Sequence, residues 1–406
     1  MNKATTDFIR QHAEADVRQL ALQGTKDPEV DMAFALDQIA GRQTARTKLP
    51  SWAAIEGIVY PPHLSMEQCS SEQAAQYKAS IVGEGSHRLF IDLTGGFGVD
   101  FAFLAQHFER AVYVEQQPSL CAISSENFQL LGLSAEVVNG DGADYLHTLD
   151  HADLIFLDPA RRDAHGGRTY GIADCTPNVL ELMDELLAKT DRLLLKLSPM
   201  LDWRKAVADI GCVSEVHIVS VNNECKELLI EVNSEKRKVK SAAPSLRVVC
   251  VNLFSGSEER FEFDSSHLSV LSSQFTVPTF HFSLLTSHFL FSPNASIMKA
   301  GCFNLLAERF GIHQLDKNSH LFVADHEVQD FPGRQFVIDQ CVSMNKREVK
   351  QALAGLTHAN IAVRNFPLSV PELRKRLKIS VFNKWTKIWN RSRAFTHANC
   401  FDQTQL

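Results

Sequence analysis

Residues 88–100 read R-L-F-I-D-L-T-G-G-F-G-V-D: a short apolar run closing on Asp92, then Gly95, Gly96 and Gly98, then the start of a helical pattern. Glycines at such a strand-to-helix turn let the backbone fold tightly and approach a ligand with no Cβ in the way, and the helix that follows presents free N–H groups. An ordinary connection between strand and helix has the same look. Its surroundings decide between the two.

Downstream of the turn, apolar runs of four to seven residues alternate with helical segments, the pattern of a parallel sheet covered on both faces. Strands are expected near 88–93, 111–115, 135–138, 153–157 and 192–197, and helices near 98–107, 118–131, 142–148 and 176–188. Two further strands, 213–221 and 225–232, are separated only by Asn222, Asn223 and Glu224 and should close the sheet as an antiparallel hairpin. The second strand ends on Glu115, ~20 residues past the loop, where a carboxylate can accept from both hydroxyls of a ribose. The third delivers Asp141 to the same edge, positioned for an adenine amino group, and the fourth delivers Asp158. Ligands of open α/β sheets bind at that edge, so four acids in succession point to one ribose-bearing ligand. The step Asp158-Pro159-Ala160-Arg161 then separates a dinucleotide from a methyl donor. A rigid proline turn has no part in hydride transfer, whereas it sets a carboxylate and a carbonyl beside a methyl group awaiting attack.

These residues resemble a class I S-adenosylmethionine-dependent methyltransferase over about 66–233, with a Rossmann-like seven-stranded α/β sheet. The resemblance implies S-adenosyl-L-methionine as cofactor, with Asp92, Thr94, Gly95, Gly96 and Gly98 forming the donor loop, Glu115 on the ribose and Asp141 on the adenine side; Asp100 is a candidate for the donor's amino group and equally for an ordinary acid in the first turn of its helix. Asp158, Pro159 and Arg161 would be catalytic, Asp158 accepting a hydrogen bond or proton from the acceptor. Thr94 stands where the motif usually has glycine, a variant found in some RNA methyltransferases. Ala160 and Arg161 replace the proline and the aromatic residue of exocyclic-amine enzymes. A uracil-C5 reaction needs a cysteine after the fifth strand; Lys196, Leu197, Ser198 and Pro199 stand there, which leaves direct transfer. In 65–79, Ser70 is the expected helix cap, with Gln73 at capping-box distance; Gln68, Tyr77 and Lys78 are weaker site candidates. Arg161, Arg162 and Arg168, with Gly166 and Gly167, are expected to form a basic loop over the acceptor.

The 406 residues exceed one hydrophobic core, and 45% hydrophobic with 22% charged residues excludes a largely disordered or collagen-like chain. A helical lead-in occupies 1–82, the catalytic domain 83–235, and α+β regions 246–318 and 319–390, with Asn294–Phe310 as one helix, before a tail at 391–406. No stretch has the length of a membrane span, and the start lacks the apolar core of a signal peptide. Nine cysteines without a C-x-x-C pair suit a reducing cytoplasm, and sixteen histidines, without H-E-x-x-H, give no reason to expect a metal.

The net charge of −7 conceals an asymmetry: residues 331–406 carry 13 Lys and Arg against 4 Asp and Glu, and residues 1–330 carry 28 against 44. A basic end of this kind suits an anionic polymer, although a solvated helix face reads the same way. Arg364, Arg374, Lys375, Arg376 and Lys378 are its densest cluster. The segment 358–379 resembles the THUMP-like domain that follows a ferredoxin-like domain in one family of bacterial methyltransferases. That resemblance implies RNA, ribosomal or transfer, as partner, and a base of it as methyl acceptor. The family's closing D-G-G turn and aromatic strand are missing, leaving open whether the tail supplies a strand. Two rival functions stand beside this one: a protein or small-molecule methyltransferase, and a non-catalytic RNA-binding protein that keeps the donor fold.

Overall fold

The computed structural model describes residues 2–83, 87–161, 171–234, 246–267, 289–316, 318–342, 345–354, 360–364, 366–378, 385–390 and 397–402. The chain divides into two units, Met1–Val216 with Glu227–Pro244, and His217–Lys226 with Ser245–Leu406.

The first unit opens with six helices: α1 (Lys3–Gln11), α2 (Val17–Gln23), α3 (Met32–Lys48), α4 (Pro50–Ala53), α5 (His63–Gln68) and α6 (Glu72–Val82). Asn2, Asp16, Asp31 and Ser71 cap four of them, each accepting from amides of the first turn. Ala35, Ile39 and Ala45 of α3 and Trp52 of α4 are buried. The Asn127 side chain clamps the segment after α4, accepting from Val59 N–H and donating to Val59 O.

Strands and helices then alternate: β1 (His87–Asp92), α7 (Val99–Leu104), β2 (Phe108–Glu115), α8 (Pro118–Leu130), β3 (Ala135–Asn139), α9 (Gly142–Thr148) and β4 (Ala152–Leu157). A two-stranded ribbon, β5 (Ala160–Arg161) with β6 (Cys175–Thr176), precedes α10 (Val179–Lys189), β7 (Thr190–Leu197), α11 (Trp203–Ile210), β8 (Val213–Val221) and β9 (Glu224–Asn233). Within a nine-stranded sheet, the run β8-β9-β7-β4-β1-β2-β3 has the order of a seven-stranded methyltransferase sheet, parallel except at its hairpin end. Its order reverses between β1 and β4, so the carboxyl ends of these strands flank the crevice where such sheets take ligands. Register aligns Asp92 with Phe156 and Leu157 with Leu195. A buried aromatic cluster supports β1 and β2 from beneath, with Phe101 centred 4.8 Å from Phe128, 5.5 Å from Tyr113 and 5.6 Å from Phe90.

In the second unit, Asn222 and Asn223 turn the hairpin with positive φ at both residues, as a tight turn between twisted strands requires. Asn222 N–H donates to Leu253 O in β10 (Arg247–Phe254), which pairs antiparallel with β11 (Ser257–Asp264). Then come β12 (Phe289–Pro293), α12 (Ala295–Ala300), α13 (Phe303–Phe310), β13 (His313–Gln314), β14 (Phe322–Ala324), β15 (Gly333–Val342), α14 (Lys346–Ala352), β16 (Asn360–Arg364), α15 (Val370–Leu377), β17 (Trp385–Asn390) and β18 (His397–Asp402). Their sheet runs β13-β14-β12-β15-β18-β17-β16 over cores built on Leu290, Leu321, Val323 and Phe336, and on Val349, Ile361 and Leu373.

Two expectations change here. The helix expected from Asn294 to Phe310 is two, because Gly301 takes a left-handed conformation and ends the first. The tail does supply a strand: β18 lies between β15 and β17, antiparallel to both.

Candidate active site

The donor loop is built from the end of β1. Asp92 is buried, and its Oδ1 accepts from Thr94 N–H at 2.9 Å, closing a short turn. Burial pushes the Asp92 carboxyl up to about 8; the Thr94 amide opposes the shift, and the nearby Asp100 and Asp158 reinforce it. Thr94 Oγ1 in turn accepts from Asp158 N–H at 2.6 Å. The threonine in place of the usual glycine therefore joins the loop to the exit of β4. A Cβ on Gly95 would fall 2.2 Å from the Tyr113 ring, and one on Gly98, where φ is +81°, 2.7 Å from Phe128, so neither position takes a side chain. Gly96 differs: the nearest atom to a Cβ there is Thr94 O at 3.9 Å, which leaves that face of the loop open.

Glu115 closes β2 against this loop. Its Oε2 accepts from Gly96 N–H and its Oε1 from Gln117 N–H, both at 2.8 Å. Each oxygen keeps a second acceptor position, which matches the two adjacent hydroxyls of a ribose. Asp141 is more committed: Oδ1 caps α9 through Ala143 and Asp144 N–H, and Oδ2 takes the Gln116 amide, leaving one acceptor position on Oδ2. Open space over Gly96, free acceptor positions on Glu115 and a remaining one on Asp141 together fit an adenosine-bearing donor.

Asp158, expected from sequence on the acceptor side, stands immediately after β4, with Pro159 buried behind it. Arg161 lies in β5, its backbone paired with Cys175. Arg162, Gly166, Gly167 and Arg168 fall outside the described residues. Lys196, near the end of β7, places its Nζ 2.6 Å from Asp158 Oδ2 and 3.1 Å from Asp100 Oδ2. The Lys196 side chain is 12% exposed and that of Asp158 39%. Behind them, Lys78 is fully buried, 2.5 Å from Glu227 Oε1 and 3.1 Å from Asp100 Oδ1. That last contact is an ion pair without hydrogen-bond geometry. Burial alone would raise Asp100, but Lys196, Lys78 and the Ser70 hydroxyl hold it down at about 2. Burial likewise disfavours the Lys196 ammonium, yet Asp100, Asp158 and Glu227 outweigh it and keep its pKa well above the ordinary range. Burial raises Glu227 against the pull of Lys78 and Lys196.

The structure adds Lys196 and Glu227, which the sequence does not single out, and Lys78, a weaker candidate, to the charge network around Asp158 and Asp100. Sequence reasoning also misassigned a serine. The cap of α6 is Ser71, which accepts from Ala74 N–H; Ser70 Oγ donates to Asp100 Oδ2 at 2.8 Å and faces Lys78 Nζ at 3.2 Å. Glu72, at the first helical position, is buried and accepts from Ser51 N–H, which fixes the helix start one residue later than the capping box suggests. Gln68 is exposed and Tyr77 buried.

In the second unit, Lys375 and Arg376 of α15 and Lys378 just beyond it are exposed, Arg374 is partly buried, and Leu373 faces the core. Arg364 does not share that exposure: its guanidinium donates to Ser292 Oγ and Val363 O, and burial lowers its pKa, as does nearby Arg334.

Comparison with known proteins agrees with this architecture. Residues 289–332 match a ferredoxin-like domain model and residues 333–387 a THUMP-domain-like model. S-adenosylmethionine-dependent methyltransferases of two Mycobacterium tuberculosis strains, CDC 1551 and H37Rv, are each 23% identical over 317 residues, 78% of this chain and 80% of theirs. A crystal structure assigned as a methyltransferase, from Porphyromonas gingivalis W83, is 30% identical and superposes with a TM-score of 0.83, covering 98% of both chains. The chain belongs to this family of S-adenosylmethionine-dependent methyltransferases with C-terminal ferredoxin-like and THUMP-like domains.

Proposed function

We propose that this methyltransferase acts on RNA, ribosomal or transfer, in the cytoplasm. The observation that carries the RNA reading is the THUMP-like domain at 333–387, with Lys375, Arg376 and Lys378 exposed around one short helix. Flexible cations of this kind meet phosphates without reading sequence. Arg364, turned to Ser292 Oγ and Val363 O, and the partly buried Arg374 offer less charge to a ligand.

When bound, S-adenosyl-L-methionine supplies an electrophilic methyl group on a sulfonium. Glu115 would hold the ribose hydroxyls and Asp141 the adenine side, while Gly95 and Gly98 pack the loop against Tyr113 and Phe128 and Gly96 would leave its backbone open to the donor. Asp100 would set the charge beside its methionine end, and Asp92 would keep the loop closed through Thr94 N–H. Asp158 accepts from the acceptor atom, held in place by its own N–H to Thr94 and by Pro159 behind it. Proximity supplies most of the acceleration of such a displacement.

The test is transfer of tritium from labelled donor to total RNA of cells lacking the protein, with protein and small-molecule fractions counted beside it. Label is expected in RNase-sensitive material and should vanish with Asp158→Ala, while donor binding by that variant persists. Label confined to another fraction would remove RNA as substrate. Unchanged turnover in Asp158→Ala would remove the role given to that carboxylate.

A further inference from the structure

Building on the RNA reading, we infer that the acceptor is a hydroxyl oxygen, the ribose 2′-hydroxyl, and that Lys196 is a catalytic residue. The observation is the juxtaposition of Lys196 Nζ and Asp158 Oδ2 at 2.6 Å on the open side of a buried charge network. Any atom that donates a hydrogen bond to Asp158 comes within reach of that ammonium.

The charge that develops on the acceptor discriminates between chemistries. A base nitrogen or exocyclic amine that attacks a methyl group becomes more positive, and a fixed ammonium beside it opposes the reaction. A hydroxyl must lose its proton and becomes more negative, and the same ammonium favours it, as preorganised donors do wherever an oxyanion develops. Lys196 is held in the charged form by three carboxyl groups, Asp100, Asp158 and Glu227. It therefore stabilises negative charge and leaves proton acceptance to Asp158. The bonds balance: an oxygen lone pair forms the oxygen–methyl bond, the sulfur–methyl pair stays on sulfur, and the hydroxyl proton passes to Asp158 and then to water.

The rest of the network fixes this geometry. Lys78 compensates Asp100 and Glu227 from behind, and Ser70 bonds Asp100, so that Lys196 need not turn inward to neutralise Asp100 alone. Thr94 holds the Asp158 backbone. The shortest contact of Lys196 is to Asp158, the most exposed carboxylate it touches, which puts the ammonium at the open end of the network. No aromatic residue follows Pro159 to stack on a base, since Ala160 and Arg161 stand there. This moves the acceptor from the base expected from sequence to the sugar.

The experiment labels total RNA with tritiated donor and the full-length enzyme, then hydrolyses the RNA in alkali. A 2′-O-methyl group blocks cleavage of its own linkage, so label in alkali-resistant dinucleotides supports the inference. Label recovered in mononucleotides, as a methylated base, overturns the inference and leaves the RNA reading standing. Label in protein or small molecules with none in RNA, or no transfer to any fraction, overturns both. With the RNA that is labelled, Lys196→Met should lower kcat by ~10²–10³-fold. Its KM for RNA should stay close to wild type, whereas its thermal unfolding midpoint should fall because Asp100 loses a buried counter-ion, and Lys196→Arg, which keeps the charge, should recover part of both rate and stability. A Lys196→Met enzyme that folds, binds both partners and turns over normally removes the catalytic role.

Discussion

Asp92 and Asp100 flank one loop and are driven in opposite directions, and the difference is measurable in stability. Burial lifts Asp92 to about 8 from its ordinary 3.8, so between those values the unfolded chain has released a proton that the folded protein keeps. The unfolded state then binds fewer protons, and stability falls as pH rises through the window. Asp100, held at about 2, has the reverse effect: it adds stability above 3.8 that is lost as pH falls towards 2. Asp92→Asn removes only the first slope. Unfolding free energies from urea titrations between about pH 5 and about pH 8 should therefore fall more in wild type than in Asp92→Asn, by at most ~1.4 kcal/mol per pH unit. Parallel pH profiles for the two proteins would show that Asp92 is ionised in the fold.

At the scale of elements, the strands were legible because each buried run in the parallel part is short, apolar and bounded, and the acids at their ends follow from the same pattern. Asp92, Glu115 and Asp158 could thus be placed on one edge from spacing alone. Lys196 could not, because it sits in the apolar run L-L-L-K-L and meets Asp158 only through the alignment of β4 with β7. Glu227 escaped for the same reason: its partner Lys78 lies on a helix before the sheet begins, and the hairpin that carries Glu227 returns the chain to it. Ser70 and Ser71 differ by one position, and what separates a cap from a network hydroxyl is the burial of Glu72, a tertiary fact. The link between donor loop and β4 is likewise invisible in sequence, and it yields a prediction. Thr94→Gly restores the usual motif residue yet leaves the Asp158 amide without its acceptor, at a cost of ~1–2 kcal/mol, or about tenfold in kcat. Thr94→Ser keeps the hydroxyl and should retain most of the rate. Single-turnover kinetics would decide it, and a Thr94→Gly enzyme as fast as wild type would mean that the hydroxyl bond does not position Asp158.

At the scale of the whole molecule, the C-terminal region and the rest of the sequence carry opposite charge, +9 over residues 331–406 and −16 over residues 1–330. An RNA duplex or strand is repelled by most of this protein and attracted by one region, so binding should depend on few ionic contacts and respond steeply to their loss. Each neutralised phosphate contributes ~0.7 to the slope of log affinity against log salt for a single strand. Replacing Lys375, Arg376 and Lys378 together by Gln removes up to three such contacts and should flatten that slope by ~2. Affinity should drop alike for RNAs of different sequence, because cations of this kind position without specifying. The three side chains are exposed and Leu373, the core residue of the helix, is untouched, so folding and donor affinity should be preserved. Filter binding across salt concentrations reads the slope directly. If the triple variant binds RNA with an unchanged slope, the exposed face of α15 is a solvated surface, and the phosphate contacts must come from other cations of the chain.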